Sequence, residues 1–330
     1  MNSWLRLIGL ASLVFVFSLG FASWAVSQGT PKVKFGTAVR TSYRYMPLRV
    51  MLDKGLDVKH GVKVDWVPHK GGAALTTSFA SGAIKIGNTS FFGVVRARLK
   101  GIPVKLIGTI SPLTTGVAVT RDSPLRKKED LKGKTLSFTR TGSMSHAFAL
   151  WLAKDQGWQL GKGGDFNIIS LGGYRTAAAT LVAGKVDAAT MPDALLISLL
   201  AKKRARPLFW WNDVLPITLI VESLVGTENY LAQNREVVAR TLKAHFSGLD
   251  YMLDNPEYSI AKTMEWFNLP RAAAKQLYQQ AIVKLMWRDG AISKSLVEGN
   301  IRWLMGQGLL KGRPVSFDEL VHKGFVPIKP

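Results

Sequence analysis

Two well-separated stretches of this chain follow one script, and that internal repeat constrains the fold more than any single residue. The first runs from Val62 through Gly71, Gly72, Phe79, Gly82 and Ile86 to Asn88; the second runs from Gly164 through Gly173, Leu181, Gly184 and Ala188 to Thr190. In each, a short apolar run (Val62 to Val67; Phe166 to Leu171) meets a glycine pair, then a small-residue helical segment, then a glycine and another apolar run. Paired glycines let the backbone turn sharply out of a strand, and small residues behind them let a helix open against the sheet. Leu75 and Phe79 in one copy, Ala177 and Leu181 in the other, are i,i+4 pairs that give each helix a buried stripe. Each copy reads as a βαβ unit, and two units in tandem predict two similar α/β lobes in place of one large sheet. Ligands of such sheets bind beyond the carboxyl ends of the strands, so two lobes facing each other there would enclose a cleft.

With 330 residues, 47% of them hydrophobic, the chain is long enough to bury two cores. Its N-terminus differs from the rest. Arg6 precedes an uncharged apolar run from Leu7 to Phe21, and Ser23 and Ala25 stand at small-residue positions before a cleavage site. Residues 1–25 therefore read as a secretory signal peptide, with a mature chain starting near Val26 to Gln28. The competing reading, an uncleaved anchor, wants about 20 apolar residues, more than this run supplies. There is no cysteine, hence no disulfide framework, thiol nucleophile, thiolate metal site or lipid-modified N-terminal cysteine, which points to a periplasmic protein that is not a lipoprotein. The net charge of +22 bunches at Arg96, Arg98 and Lys100, at Arg126 to Lys128 and at Lys202 to Arg206. Aromatic residues are not interleaved with these clusters as a nucleic-acid stacking platform requires, and export removes nucleic acid as a partner. What remains is a solvated basic surface whose field speeds encounter with anionic solutes.

Along the mature chain, strands are expected at Lys32 to Val39, Val104 to Ile110, Thr115 to Thr120, Leu136 to Thr139, Leu208 to Trp211 and Ile217 to Glu222. Helices are expected from Pro47 to Leu52, Phe91 to Leu99 and Ser143 to Gln156. The runs Thr115 to Thr120 and Ile217 to Glu222 bracket one whole lobe, so they are the expected crossings between lobes, and two crossings make a hinge. Lobe one then comprises 30–117 and 222–330, and lobe two 118–221. From Asn229 the pattern is helical, with apolar stripes through Val238, Leu242, Phe246, Leu249 and Leu253, through Ile260, Met264 and Phe267, and through Val297, Ile301, Leu304 and Leu309. These helices are expected to pack on lobe one, where the second crossing returns the chain.

The chain resembles the periplasmic solute-binding proteins of ABC importers in the nitrate, sulfonate, taurine and thiamine-pyrimidine-precursor group. The matching pieces are Asp130-Leu131-Lys132-Gly133-Lys134 before a strand, Thr141-Gly142-Ser143-Met144-Ser145-His146 opening a helix, and Ala183-Gly184-Lys185-Val186-Asp187-Ala188-Ala189 before Met191-Pro192-Asp193. The resemblance implies the type II periplasmic-binding-protein fold, a small anionic solute, permease and ATPase subunits as partners, and a monomer without a cofactor. Lys85 departs from the family, which has Asp after the first repeat's glycine. The eukaryotic pyrimidine-synthase branch depends on cysteines, so its enzyme activity does not carry over.

The residues expected to touch a solute follow from position. Thr141, Gly142, Ser143 and His146 form a turn whose helix opens with free N–H groups, favouring an anion by about 0.3 to 2 kcal/mol. Asn88, Thr89 and Ser90 end the first repeat, and Pro192 and Asp193 stand at the matching place in the second. Tyr43 and Tyr45 after the first strand, Thr114 and Thr115 before the first crossing, and the pair Trp210 and Trp211 complete the set. Ordinary turn and capping chemistry accounts equally for the short polar residues. No acidic or arginine clamp stands out. The histidines at 60, 69, 146, 245 and 322 show no metal spacing, and no nucleophile elbow or P-loop occurs, so neither a catalytic nor a metal site is expected. The alternatives are an exported enzyme with His146 or Asp193 as acid or base, and a ligand sensor using the same cleft.

Overall fold

The computed structural model describes residues 29–40, 42–112, 115–141, 143–161, 163–284 and 286–330; the expected signal peptide, Thr114 and Gly142 lie outside them. The first lobe opens with β1 (Lys32–Thr37), a 3-10 turn (Tyr43–Tyr45), α1 (Met46–Asp53) and α2 (Leu56–Lys59). It continues with β2 (Lys63–Pro68), α3 (Gly72–Ala80), β3 (Ile86–Ser90), α4 (Phe91–Leu99) and β4 (Val104–Pro112). The second lobe follows with β5 (Thr115–Thr120), β6 (Thr135–Phe138), α5 (Met144–Asp155), β7 (Asn167–Ser170), α6 (Tyr174–Val182), β8 (Ala188–Pro192), α7 (Asp193–Ala201) and β9 (Ala205–Trp210). After α8 (Trp211–Val214) the chain returns through β10 (Ile220–Thr227) to α9 (Glu228–Gln233), α10 (Arg235–Asp254), α11 (Pro256–Phe267), α12 (Arg271–Leu277), a π turn (Tyr278–Val283), α13 (Lys294–Gly306) and α14 (Phe317–Leu320).

Two five-stranded sheets result, ordered β2-β1-β3-β10-β4 and β7-β6-β8-β5-β9. They match place for place. In each, three parallel strands are followed by one antiparallel strand, β10 in the first sheet and β5 in the second. The repeated script becomes β2-α3-β3 and β7-α6-β8, and each unit straddles a middle strand. Gly71 (φ 120°) and Gly172 (φ 77°) take backbone angles that side chains resist, as the turns out of β2 and β7 require. Leu75, Phe79, Ala177 and Leu181 are buried as the stripes predict. Gly36 in β1 has a steric reason: a Cβ there would stand 2.6 Å from the Leu75 side chain, so the glycine lets α3 lie close on the sheet.

The return strand lies later than the sequence suggests, at Ile220–Thr227, because its polar residues Glu222 and Ser223 interrupt the apolar pattern although both are buried. β5 pairs with β8 and β9 along its length, so the chain changes sheets ahead of Thr115 and not at 117. The second passage runs through α8, where Trp211 is buried and stacks on Phe148 of α5 at 4.1 Å with ring planes 4° apart. One core cluster spans the two lobes there, joining Val117 and Phe148 to Leu106, Val297 and Ile301.

The C-terminal helices pack on the first sheet's side, α10 against α1 and α2 and α13 along β10. Helices also meet across the lobes: α7 lies against α12, and Ile197 enters the core that holds Ala274 and Leu277. Within that core His245 is 1% exposed, its ring faces Phe35 at 6.1 Å, and neither nitrogen has a hydrogen-bond partner. Burial depresses its pKa from 6.5 to about 4. The unfolded chain binds this proton near 6.5 and the folded chain only near 4. The stability that the neutral ring contributes is therefore complete above pH 6.5 and is lost as the pH falls toward 4. Urea unfolding should show a loss approaching about 1.4 kcal/mol per pH unit across that window. His245→Phe should flatten it; a wild-type profile no steeper than the variant's would refute this assignment.

Candidate functional site

The carboxyl ends of the first sheet carry polar residues where central strands are normally apolar. Asn88, Thr89 and Ser90 end β3, Ser111 lies near the end of β4, and Glu222 near the start of β10 pairs in register with both Ser90 and Ser111. Ser90 caps α4 by accepting from the Gly93 N–H at 3.1 Å, and the Thr89 hydroxyl lies beside Gly72, the first residue of α3. Asn88 is fully buried, yet neither its amide nitrogen nor its oxygen has a partner; nor do the hydroxyls of Ser111 and Ser223 or one oxygen of Glu222. Each such group costs about 1–3 kcal/mol when buried unpaired, so a concentration of them at one sheet edge marks a place kept for something other than stability.

Contrary to the expectation that no clamp is present, a buried ion pair spans this edge. Arg44, in the turn after β1, reaches Glu222 at 3.7 Å, and the two side chains are 11% and 8% exposed. Burial pushes the Glu222 carboxyl up to about 7 while the Arg44 charge pulls it down. Beside them Tyr45 is held well above its ordinary pKa, chiefly by burial and then by the Glu222 charge. Arg44 escapes a sequence reading because it is one of several arginines in a polar, aromatic segment. Glu222, the lone acid in the run Ile217 to Val225, was the available signal.

The second lobe answers with hydroxyls. Thr139, Ser143 and Ser145 form a closed ring, with Thr139 to Ser143 at 3.0 Å, Thr139 to Ser145 at 2.8 Å and Ser143 to Ser145 at 3.0 Å. Ser143 also caps α5 through the His146 N–H at 3.2 Å, and Ser145 accepts from the Thr139 N–H at 3.0 Å. Arg140 donates to the Gly172 carbonyl at 3.0 Å, tying this turn to the glycine turn before α6. His146 packs on Phe138 at 4.6 Å, and burial lowers its pKa; Thr141 is exposed. At the start of α6 the Tyr174 phenol is raised mainly by burial, held back by the Arg44 charge and a hydrogen bond with Ser145, and raised by Glu222. Tyr174 of one lobe is thus near enough to Arg44 and Glu222 of the other for their charges to act on it.

The remaining expected residues divide. Thr115 pairs with Pro192 across β5 and β8, so the first crossing and the second repeat meet. Asp193 opens α7, accepts from the Ala194 N–H at 2.7 Å, and raises the Tyr43 phenol across the lobe boundary after burial has raised it most. Tyr43 itself is turned into the helical core, its hydroxyl on Thr263 at 3.0 Å and its ring against Phe267 at 5.1 Å. Trp211 is core, and only Trp210 is half-buried, lying over Gly116, so the tryptophans form no joint wall. Among the described residues no three His, Asp or Glu side chains group to hold a metal ion.

The sequence model of the family described as NMT1/THI5 like matches residues 43–259. No curated protein sequence matches the chain. Among solved structures, the alkanesulfonate-binding protein SsuA from Xanthomonas axonopodis pv. citri, bound to MOPS, is 20% identical with a TM-score of 0.69, over 88% of this chain and 98% of that one. The periplasmic aliphatic sulphonate binding protein SsuA from Escherichia coli is 18% identical with a TM-score of 0.70, over 88% and 97% of the two chains. The periplasmic nitrate-binding protein NrtA from Synechocystis PCC 6803 is 13% identical with a TM-score of 0.65, over 88% and 84%. The fold of this chain is that of the periplasmic binding proteins.

Ser145 is the keystone of the hydroxyl ring, fully buried and paired to backbone and side chain alike. Ser145→Ala leaves the Thr139 N–H and hydroxyl short of a partner and should cost about 1–3 kcal/mol in urea unfolding. A change within about 0.3 kcal/mol would show that the ring contributes nothing to holding the turn.

Proposed function

Because the chain belongs to the NMT1/THI5-like family, we propose that it is the periplasmic solute-binding subunit of an ABC importer, holding a small anionic organic or oxyanion solute of the sulfonate, nitrate or taurine type between its lobes. The observation that carries this reading is the meeting of Arg44 and Glu222 with Ser145 and Tyr174 across the lobe boundary, beside buried polar atoms of Asn88 and Ser111 that have no protein partner. A solute that touches both lobes only when they are together shifts the population toward the closed form. Export by a cleaved signal peptide over 1–25, delivery to permease and ATPase subunits, and a monomeric state belong to the same proposal. So do the lobes, with β1 to β4 and β10 onward as one and β5 to β9 as the other.

Within the site we assign Asn88, Thr89, Ser90, Thr115, Ser143, His146, Pro192 and Asp193 to the solute's surroundings, with Thr141 at its margin and Arg44 as the cation. The helix starts at α3, α5 and α6 add N–H groups that favour negative charge. His146 packs on Phe138 and Asp193 accepts from the Ala194 N–H, and a binding role uses both without chemistry.

The test is a thermal-shift screen of the protein from Ser27 onward against alkanesulfonates, nitrate, taurine and aromatic carboxylates. A compound present at about 100 times its Kd should add roughly 2.7 kcal/mol of stability and be recovered unchanged; turnover would instead favour an enzyme. Gly173, which precedes α6, has an extended φ of −171° and open space where a Cβ would stand. Gly173→Leu should therefore keep the melting temperature while weakening binding at least about tenfold, a loss near 1.4 kcal/mol; unchanged affinity would move the site elsewhere.

A further inference from the structure

The pair of Arg44 with Glu222 poses a problem for the solute just proposed. An anion that reaches the Arg44 guanidinium arrives beside a carboxylate that is 6% exposed and has one oxygen without a partner. Two negative groups cannot share one cation in a dry site without a large rise in the pKa of one of them. We infer that Glu222 is a specificity-determining residue that takes up a proton when the anion takes over Arg44, so the solute enters together with one proton. The accounting is simple: the guanidinium exchanges its contact with Glu222 for one with the solute oxyanion, and the carboxylate gains H⁺ from solvent. The new O–H then donates to the same anion. Arg44 and protonated Glu222 become two donors aimed at one oxyanion, which favours a group rich in acceptor oxygens over one that brings its own proton.

The surroundings leave Glu222 this role. Arg44 and Tyr45 face it from the turn after β1, and Tyr174 faces it from α6. The flanking strands offer the neutral Ser90 and Ser111. On the helices that pack against β10, Arg98 of α4 pairs with Glu228 of α9 at 2.8 Å, Arg96 lies over Phe92, Lys294 and Glu298 of α13 pair at 3.9 Å, and Arg302 is exposed. The other titratable groups assigned to the solute's surroundings are His146 and Asp193, and the Glu222→Gln variant separates their proton uptake from that of Glu222. In the empty protein the carboxyl already lies near neutrality, so the exchange falls within the range where it can be read.

The inference rests on the solute-binding reading, and one experiment separates the two. Butanesulfonate, nitrate and benzoate are each added to the weakly buffered protein near pH 8, with thermal shift reporting binding and a pH electrode reporting proton uptake. The expected result is a thermal shift with uptake approaching about one proton per bound anion, and affinity that falls about tenfold per pH unit above about pH 7.5. Glu222→Gln should bind the same anion without proton uptake and with affinity independent of pH; if that variant does not fold, uptake by the wild-type protein decides. Binding without uptake overturns the inference and leaves the binding protein standing. No shift with any of the three anions overturns the anionic reading and this inference with it.

Discussion

The pairing of β10 on both its edges is the constraint on which the architecture depends. It lies antiparallel between β3 and β4, and without it the first sheet would split into a three-stranded piece and a lone strand. It reaches that place only after the whole second lobe has been traversed. β5 makes the reciprocal arrangement, entering the middle of the second sheet before the three strands it joins. The first lobe thus contains a strand that the local chain order does not supply, and the pairings of that strand complete its sheet. Such contacts must be gained after much loop entropy has been lost, which makes closure of the first sheet the slow part of assembly.

The same strand brings unpartnered polar groups to one end of the first sheet. A central strand buried on both faces has no solvent to satisfy polar side chains, yet β10 begins with Glu222 and Ser223. Their neighbours at the sheet edge, Asn88 and Ser111, are equally buried and equally short of partners. Burying them opposes folding; the apolar remainder of the strand, Val221, Leu224 and Val225 among the core residues, offsets that cost. Among the described residues, the buried polar side chains of this sheet that lack partners, Asn88, Ser111, Glu222 and Ser223, gather at one end of it.

What was legible in the sequence is what local rules determine. The two glycine turns, the helix over Phe91–Leu99 and the strand over Thr115–Thr120 follow from spacing and breakers, and the structure has them at those residues. Asn88 to Ser90 were read as a strand end and Ser143 as an N-cap because such positions carry local signatures, and the structure has them there. Arg44 and Tyr174 were not found, since nothing within a few residues distinguishes a buried arginine from a solvated one. Their meeting is made by tertiary placement alone. The start of β10 was misplaced for the related reason that a buried acid violates the apolar pattern by which strands are recognised. Tyr43 errs in the other direction: adjacent to the site in sequence, it is drawn into the helical core by Thr263 and Phe267, residues that arrive much later in the chain.

Ile197 has a bearing on how the two lobes move. It belongs to α7 of the second lobe but is 1% exposed inside the core built by the first, against α12. Any separation that draws α7 away from α12 returns this side chain to water at a cost of about 1.5–3 kcal/mol, a bias of roughly ten- to a hundredfold toward the joined state before any solute binds. The joined arrangement of the two halves is thus favoured by the packing of a single apolar side chain across their boundary.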